Sequence, residues 1–255
     1  MIAVFVAMES ELAGLARRLS AREHETIGGR GVVRGRCGGA DVLVCRTGIG
    51  ERAEGAMRAV LERYEPSFVL SAGVAGALDP ELRAGDLLLC ETVVSGPDPQ
   101  APAVLSDARL LEAAASAAAR AGLRLRRGRS LTVDVIVGDP AAKAELRLST
   151  GADVVEMESH RAGRIAGEKG LPFLAARAVL DEAADPLPEL PGVVAPDGTE
   201  RMWAVLPYLV AHPQRLPLLL RLARCQRRAL EALGLFLEAF AGAAPALPVA
   251  GARPV

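Results

Sequence analysis

This chain has little net charge, no closely spaced cysteines and no long apolar run, and each absence excludes a class of protein. Its formal net charge is −1 over 255 residues, so no overall field favours nucleic acid or an anionic membrane as a partner. The four cysteines are scattered without a C-x-x-C pair, and the three histidines show no metal-ligand spacing relative to them. We therefore expect free thiols, as in a reducing cytoplasm, and no metal site.

Targeting signals are missing as well. The apolar run at residues 2–7 is too short for the core of a secretory signal and is followed at once by Glu9 and Glu11. No apolar segment reaches transmembrane length without charges. These features predict a cytoplasmic protein.

The length and the hydrophobic pattern predict the fold class. A chain of this length fits one large α/β domain better than two small ones. Short apolar runs alternate with longer amphipathic ones, which favours a largely parallel sheet with helices on both faces. A hairpin at 31–48 and a long strand at 85–95 indicate a single domain with a central mixed β-sheet flanked by helices. We expect this domain over residues 1–240 and a disordered tail over 241–255.

The individual elements follow from the same pattern. Predicted strands cover 2–7, 67–73, 85–95, 130–137 and 172–183, the last of them closing the sheet, and predicted helices cover 9–19, 51–64, 107–122, 140–149 and 158–169.

Polar residues follow several of the predicted strands. Glu11 comes after the strand at 2–7, and residues 47–50 come at the end of the hairpin at 31–48. Glu156 and Glu158 end a further predicted strand that begins at Asp153, and Asp181 comes at the end of the strand at 172–183. Taken singly, Glu11 could be a carboxylate in the first turn of a helix, where the helix dipole stabilises it, and Asp181 could cap a helix. Because ligands of such sheets bind outside the carboxyl ends of the strands, their shared location predicts one site.

The segment "TGIGERA" at 47–53 fits the loose glycine pattern of dinucleotide sites. It follows a hairpin strand, and no acidic residue stands at a strand end about 20 positions on. A glycine-rich turn before a helix could equally hold a phosphate or a ribose hydroxyl. A dinucleotide-dependent oxidoreductase is therefore the weakest of the alternatives.

Five segments together resemble the purine nucleoside phosphorylase and nucleosidase superfamily, and within it the methylthioadenosine/adenosylhomocysteine nucleosidases. These segments are "VAMESEL" (6–12), "TGIG" (47–50), "SAGVAGAL" (71–78), "VVEMES" (154–159) and "ARAVLDEAAD" (176–185). Residues 193–230 are similar to the tail of hopanoid-associated phosphorylases. The resemblance implies a nucleoside phosphorylase-like catalytic domain over residues 1–240.

The resemblance also implies an activity. It is cleavage of the N-glycosidic bond of an adenine nucleoside, adenosylhopane in hopanoid biosynthesis, which releases adenine by phosphorolysis or hydrolysis. One alternative is a methylthioadenosine/adenosylhomocysteine nucleosidase, and an alternative of another class is a non-catalytic nucleoside-binding protein. No cofactor is implied, apart from phosphate as a co-substrate. The expected partners are a small nucleoside substrate that could be lipid-linked, a membrane touched transiently, and further copies of the chain in a homo-oligomer.

Residue roles are carried over from the family motifs. Asp181 matches the general acid that protonates purine N7, and Glu11 matches the carboxylate that activates water. Glu158 matches the carboxylate that bonds the ribose hydroxyls, with Met157 packed against the ribose. Glu156 is expected to form a structural salt bridge.

Other positions depart from the family pattern. Ile136 and Val137 stand where a base-stacking aromatic is expected, and Val74 and Leu180 stand where the nucleosidases usually carry serine. Phosphate contacts could come from Gly48, Gly50 and Arg46. A carboxylate at Glu11 would repel a phosphate dianion, so the sequence leaves the nucleophile open.

Overall fold

The computed structural model describes residues 1–49, 52–96, 98–188, 193, 195, 199–200 and 205–243. The strands are β1 (Ile2–Val6), β2 (Ser20–Ile27), β3 (Arg30–Cys37), β4 (Ala40–Arg46), β5 (Phe68–Ala77), β6 (Leu87–Ser95), β7 (Val104–Leu105), β8 (Leu125–Thr132), β9 (Val154–Glu156) and β10 (Phe173–Asp181). The helices are α1 (Glu9–Ala16), α2 (Arg52–Tyr64), α3 (Ala108–Arg120), α4 (Pro140–Thr150), α5 (Ser159–Glu168), α6 (Val205–Ala211) and α7 (Leu216–Ala243).

All of these strands belong to one mixed sheet, which confirms the predicted fold class. Strand β5 pairs in parallel with β1 and β10 and antiparallel with β9. Strand β10 also pairs with β6, β6 pairs with β8, and β8 pairs with β9. Together with β5, these four strands close a ring. From β1 the sheet extends through β4 and β3 to β2. The carboxyl ends of β1, β8, β9 and β10 are thereby brought around β5.

Helices cover both faces of the sheet and contribute to its two largest apolar cores. On one face α7 contributes Phe236 and Phe240, which are fully buried with α1 and α3 beside them. On the other face α2 and α5 contribute Met57 and Ile165, also fully buried. Burial of this apolar surface is the main force that holds the helices on the sheet.

Strand β10 has a neighbouring strand on each side, and its pairing with β5 closes the ring, as the prediction that it closes the sheet requires. It pairs with β5 on one side and with β6 on the other. Its burial pattern agrees with this position, because eight of its nine residues are buried. A continuous apolar run marks a strand buried on both faces but does not specify its neighbours.

Strand β8 is displaced from its predicted position over 130–137. It ends at Thr132, which pairs with Ser95 at the end of β6 and with Glu156 at the end of β9. Beyond this level the described residues offer no neighbouring strand. Residues 133–139 therefore form a loop despite their β-branched side chains.

The last helix runs through Ala243, beyond the boundary predicted at residue 240. Ala241 is fully buried in it. The rest of the predicted disordered tail, residues 244–255, lies outside the described residues. None of the helices among the described residues is long and apolar enough to cross a membrane.

Candidate active site

A cavity of about 230 Å³ lies where the carboxyl ends of β1, β8, β9 and β10 surround β5. Four carboxyl side chains line it, those of Glu11, Glu156, Glu158 and Asp181. Most other lining residues are apolar, which strengthens charge interactions inside the cavity. They are Ala7, Met8, Ile49, Val74, Ala75, Gly76, Val133, Val135, Ile136, Val137, Val155, Met157, Leu180 and Leu187.

Glu11 lies in the first turn of α1, where its carboxylate accepts three backbone N–H groups. Oε2 accepts from Ala7 and Met8 at 2.9 Å, and Oε1 accepts from Val74 at 2.8 Å. Burial raises the pKa of Glu11 above its ordinary value, although these hydrogen bonds oppose the shift. The result is a rigidly held carboxylate that gains proton affinity from its surroundings, as a general base requires.

A glycine on β5 makes room for this carboxylate. A Cβ added at Gly73 would lie 2.8 Å from Oε1 of Glu11 and 3.0 Å from Nη1 of Arg177. Any other residue at position 73 would therefore displace one of the two charged groups.

Glu156 and Arg177 form a fully buried ion pair behind the cavity, as expected for Glu156 from the sequence. Nη2 of Arg177 lies 2.6 Å from Oε2 of Glu156, and the same oxygen accepts the backbone N–H of Ser159 at 2.8 Å. The hydroxyl of Thr132 donates to Oε1. Burial alone would raise the pKa of Glu156, but the guanidinium of Arg177 and these hydrogen bonds together lower it.

Glu158 differs from Glu156 although only Met157 separates them. It lines the cavity half-buried, whereas Glu156 is held by the ion pair. Burial raises the pKa of Glu158 to about 8, and the negative charge of Glu156 adds to the shift. Two hydroxyl donors on a ligand would favour its charged form.

Asp181 ends β10 and contacts Lys143, a residue that the sequence analysis leaves without a role. Nζ of Lys143 donates to Oδ2 of Asp181, and the side chains are 0% and 2% exposed. Burial raises the pKa of Asp181, while the lysine opposes that shift. The only sequence signal for this contact is that Lys143 is one of two lysines in an arginine-rich chain.

The predicted base-binding residues lie in the loop that follows β8. Ile136 and Val137 both line the cavity, and Ile136 is 68% exposed at its mouth. The loop is joined to the residues after β10 through a hydrogen bond of 2.9 Å from the backbone N–H of Leu187 to the carbonyl of Gly138. An apolar wall of this kind can pack against a flat base, without an aromatic platform.

Arg46 and Gly48, the two described residues that are predicted as phosphate contacts, do not line the cavity. Arg46 donates to the hydroxyl of Thr199 at 3.1 Å and lies 3.5 Å from the carboxylate of Glu9. It is absent from the described residues that line the cavity. Gly48 is buried with φ of 80°, and Gly50 lies outside the described residues. The described residues also contain no group of three or more His, Cys, Asp or Glu that could hold a metal ion.

Comparison with known proteins identifies the family. The family model described as the phosphorylase superfamily matches residues 1–208. This chain belongs to that superfamily. A 5′-methylthioadenosine/S-adenosylhomocysteine nucleosidase of Tolumonas auensis is 32% identical over 203 residues, which cover 73% of this chain and 88% of the relative. One of Geobacillus thermodenitrificans is 33% identical over 199 residues, which cover 72% and 84%.

Solved structures of other proteins confirm the architecture. The nucleosidase of Neisseria meningitidis in complex with methylthio-immucillin-A superposes with a TM-score of 0.75 at 21% identity, and covers 96% of this chain and 99% of that one. The futalosine hydrolase of Helicobacter pylori has a TM-score of 0.73 at 18% identity, with 94% and 96% covered. Family membership confirms the predicted enzyme class of nucleoside phosphorylases and nucleosidases, which cleave N-glycosyl bonds.

Proposed function

We propose that this enzyme hydrolyses the N-glycosidic bond of an adenine nucleoside of the 5′-methylthioadenosine/S-adenosylhomocysteine type. The observation that carries the proposal is a cavity lined by four carboxyl groups, with no lysine or arginine among its described lining residues. The nucleosidase relatives support the choice of substrate class. We thus prefer the activity of a methylthioadenosine/adenosylhomocysteine nucleosidase, the alternative in the sequence analysis, to the cleavage of adenosylhopane, which the sequence analysis places first.

In the proposed reaction Asp181 is the general acid. Its carboxyl proton passes to purine N7 while the bond between C1′ and N9 breaks and its electron pair enters the base. The base then leaves as neutral adenine and not as an anion. Burial raises the pKa of Asp181, which favours the protonated carboxyl that this step uses.

Glu11 and Glu158 act on the sugar. As C1′ gains positive charge, Glu11 takes a proton from a water molecule, whose oxygen forms the new bond to C1′. Glu158 accepts hydrogen bonds from the ribose hydroxyls, and its negative charge stabilises the developing cation. Met157 packs against the ribose, and Ile136 and Val137 against the base. The reaction requires no metal or organic cofactor, because side chains supply both the acid and the base.

Hydrolysis is favoured over phosphorolysis by electrostatics. A phosphate dianion in the cavity would meet the Glu11 carboxylate, which must be ionised to act as the base, without a facing cation among the described residues, since Arg177 is paired with Glu156. Like charges a few ångströms apart repel strongly in an apolar cavity. Water carries no such penalty.

We expect adenine release from 5′-methylthioadenosine at the same rate with and without phosphate. Replacement of Glu11 by Gln should lower that rate about 10²-fold, because the water loses its base. The measurement is chromatographic detection of adenine. Glu9→Gln is the matched control, since Glu9 is exposed on the same helix and should leave the rate unchanged. Release that requires phosphate would refute hydrolysis, and binding without release would favour a nucleoside-binding protein.

A second candidate substrate is adenosylhopane, and one surface observation favours it. The segment 210–220, which includes the first residues of α7, carries three exposed apolar residues. Val210, Leu216 and Leu220 are 84%, 46% and 49% exposed. Arginines accompany these residues at 215, 221, 224, 227 and 228. Apolar side chains with a basic rim suit an anionic lipid surface, from which a lipid-linked nucleoside could be taken.

Liposome co-sedimentation tests this second candidate. We expect binding to anionic vesicles that falls about 10²-fold or more when Arg215, Arg224 and Arg228 are replaced by Glu, because each basic residue contributes about 1 kcal/mol near such a surface. Arg109→Glu with Arg120→Glu on α3 is the control, because both residues are exposed. Equal binding by both variants, or none by the parent, would remove the candidate. The homo-oligomer and the cytoplasmic location stay predictions.

A further inference from the structure

Lys143 is fully buried beside the cavity, and all of its donors have acceptors. An ammonium group carries three N–H donors and no acceptor. Here Nζ donates to Oδ2 of Asp181, to the carbonyl of Glu182 at 3.0 Å and to the carbonyl of Asp185 at 3.1 Å. Helix α4, which begins after its N-cap Asp139, holds the lysine against the end of β10. The lysine therefore ties that helix to the residues from Asp181 to Asp185.

Stability alone gives a weak reason for a cation at this position. Buried ion pairs can often be replaced by apolar residues of similar volume without loss of stability, because burying two charges is costly. Lys143 contacts the one carboxyl group that the proposed reaction uses as its acid. The pair is therefore better explained by what it does to Asp181.

We propose that Lys143 is a positioning residue for the general acid: it holds Oδ2 of Asp181 and so leaves Oδ1 to face the base. This inference rests on the proposed function, in which Asp181 protonates purine N7. Lys143 also has a second effect: its positive charge lowers the pKa of Asp181, so that the carboxyl group gives up its proton more readily. Burial raises the pKa of Asp181 and the adjacent cation opposes the rise. A buried carboxyl without such a cation would be a weaker acid and a slower proton donor.

Other charged groups near Asp181 do not replace this cation. Asp185 raises the pKa of Asp181, and it is paired with Arg221 from α7 at 2.7 Å. Glu182 accepts the backbone N–H of Ala84 at 3.4 Å. The groups that line or back the cavity on its other sides are Glu11, Glu156, Glu158 and Arg177. Among the residues that the structure describes, Lys143 is the cation in direct contact with the acid.

The experiment replaces Lys143 by Met, which has similar length and no charge. We expect kcat for adenine release to fall about 10²-fold with little change in KM, because the acid is misplaced in the transition state while substrate binding is retained. In addition, the titration midpoint of Asp181 should rise by about 1–3 pH units, since a neighbouring cation lowers a carboxyl pKa by that amount. Carbon-13 NMR of protein labelled at its Asp carboxyl groups gives the midpoint, with Asp181→Asn to assign the signal.

The control is Lys169→Met, which removes the other lysine at a partly exposed site and should match the parent in both measurements. A loss of kcat with an unmoved Asp181 midpoint would make Lys143 only structural and overturn the inference, as would unchanged kcat. If the Met variant does not fold, Lys143→Gln retains donors without the charge and carries the same expectation. If neither folds, the role is in folding and the inference is wrong. Absence of adenine release by the parent would refute the proposed function, whereas the NMR midpoints would still report on Lys143.

Discussion

Replacement of Asp181 by Asn is expected to lower the rate of adenine release by about 10²–10⁴-fold, the usual contribution of a general acid. The amide cannot give up a proton to purine N7, so the base would have to leave as an anion. Its oxygen can still accept a hydrogen bond from Lys143, and the fold should be retained. The measurement is kcat for 5′-methylthioadenosine, together with the melting temperature of both proteins.

The effect should lie in kcat and not in KM, because the proton moves only as the bond breaks. Asp41→Asn is a suitable control, since that carboxyl is exposed on β4 and 3.9 Å from Arg36. It should leave kcat unchanged. Full activity of the Asp181→Asn protein would overturn the assignment of the acid and leave the fold assignment untouched.

The sequence predicts the carboxyl groups of the site because strand ends can be recognised from local patterns. Glu11, Glu158 and Asp181 each follow or end an apolar run, and the sheet brings all three to one cavity. The salt bridge of Glu156 is predicted on the same basis, since a buried carboxylate next to a strand end needs a partner. Local patterns thus predict the position of each carboxyl group along the chain.

Contacts between distant segments could not be predicted in this way. Lys143 and Asp181 are 38 residues apart, and nothing in the local sequence of α4 indicates which strand end the helix will meet. Strand β2 shows the same limit, because its sequence is polar and seven of its eight residues lie at least partly exposed. It forms through its pairing with β3 and not through an apolar pattern. The end of β8 is likewise set by its neighbours.

Replacement of Arg177 by Met should cost about 3–5 kcal/mol of the free energy of unfolding, because it leaves the Glu156 carboxylate buried without its partner. Arg177 is 2% exposed and also donates to the hydroxyls of Ser71 at 2.9 Å and Ser159 at 2.7 Å. Both hydroxyls would lose a charged donor. Urea denaturation of the parent and the variant at neutral pH gives the difference.

The free energy of unfolding that is lost in Arg177→Met should depend on pH, and the pKa of Glu156 decides the direction. The folded-state pKa of Glu156 is lowered, so its contribution to stability is present above its unfolded value and is lost as pH falls through the folded one. Without Arg177, burial raises the pKa of Glu156, so the difference between parent and Arg177→Met should be largest above that raised value and shrink as pH falls towards the lowered pKa of the parent. A difference that grows in acid would contradict this account.

Two further variants separate the buried pair from ordinary surface charge. Combining Arg177→Met with Glu156→Gln should cost less than the sum of the single changes, because the unpaired charge is then removed and the amide can still accept from Thr132. Arg58→Met is the surface control, since Arg58 pairs with Glu168 at 2.7 Å while both side chains are more than a third exposed. It should cost less than about 1 kcal/mol. A loss at Arg177 no larger than at Arg58 would show that the buried pair contributes no more to stability than an exposed one.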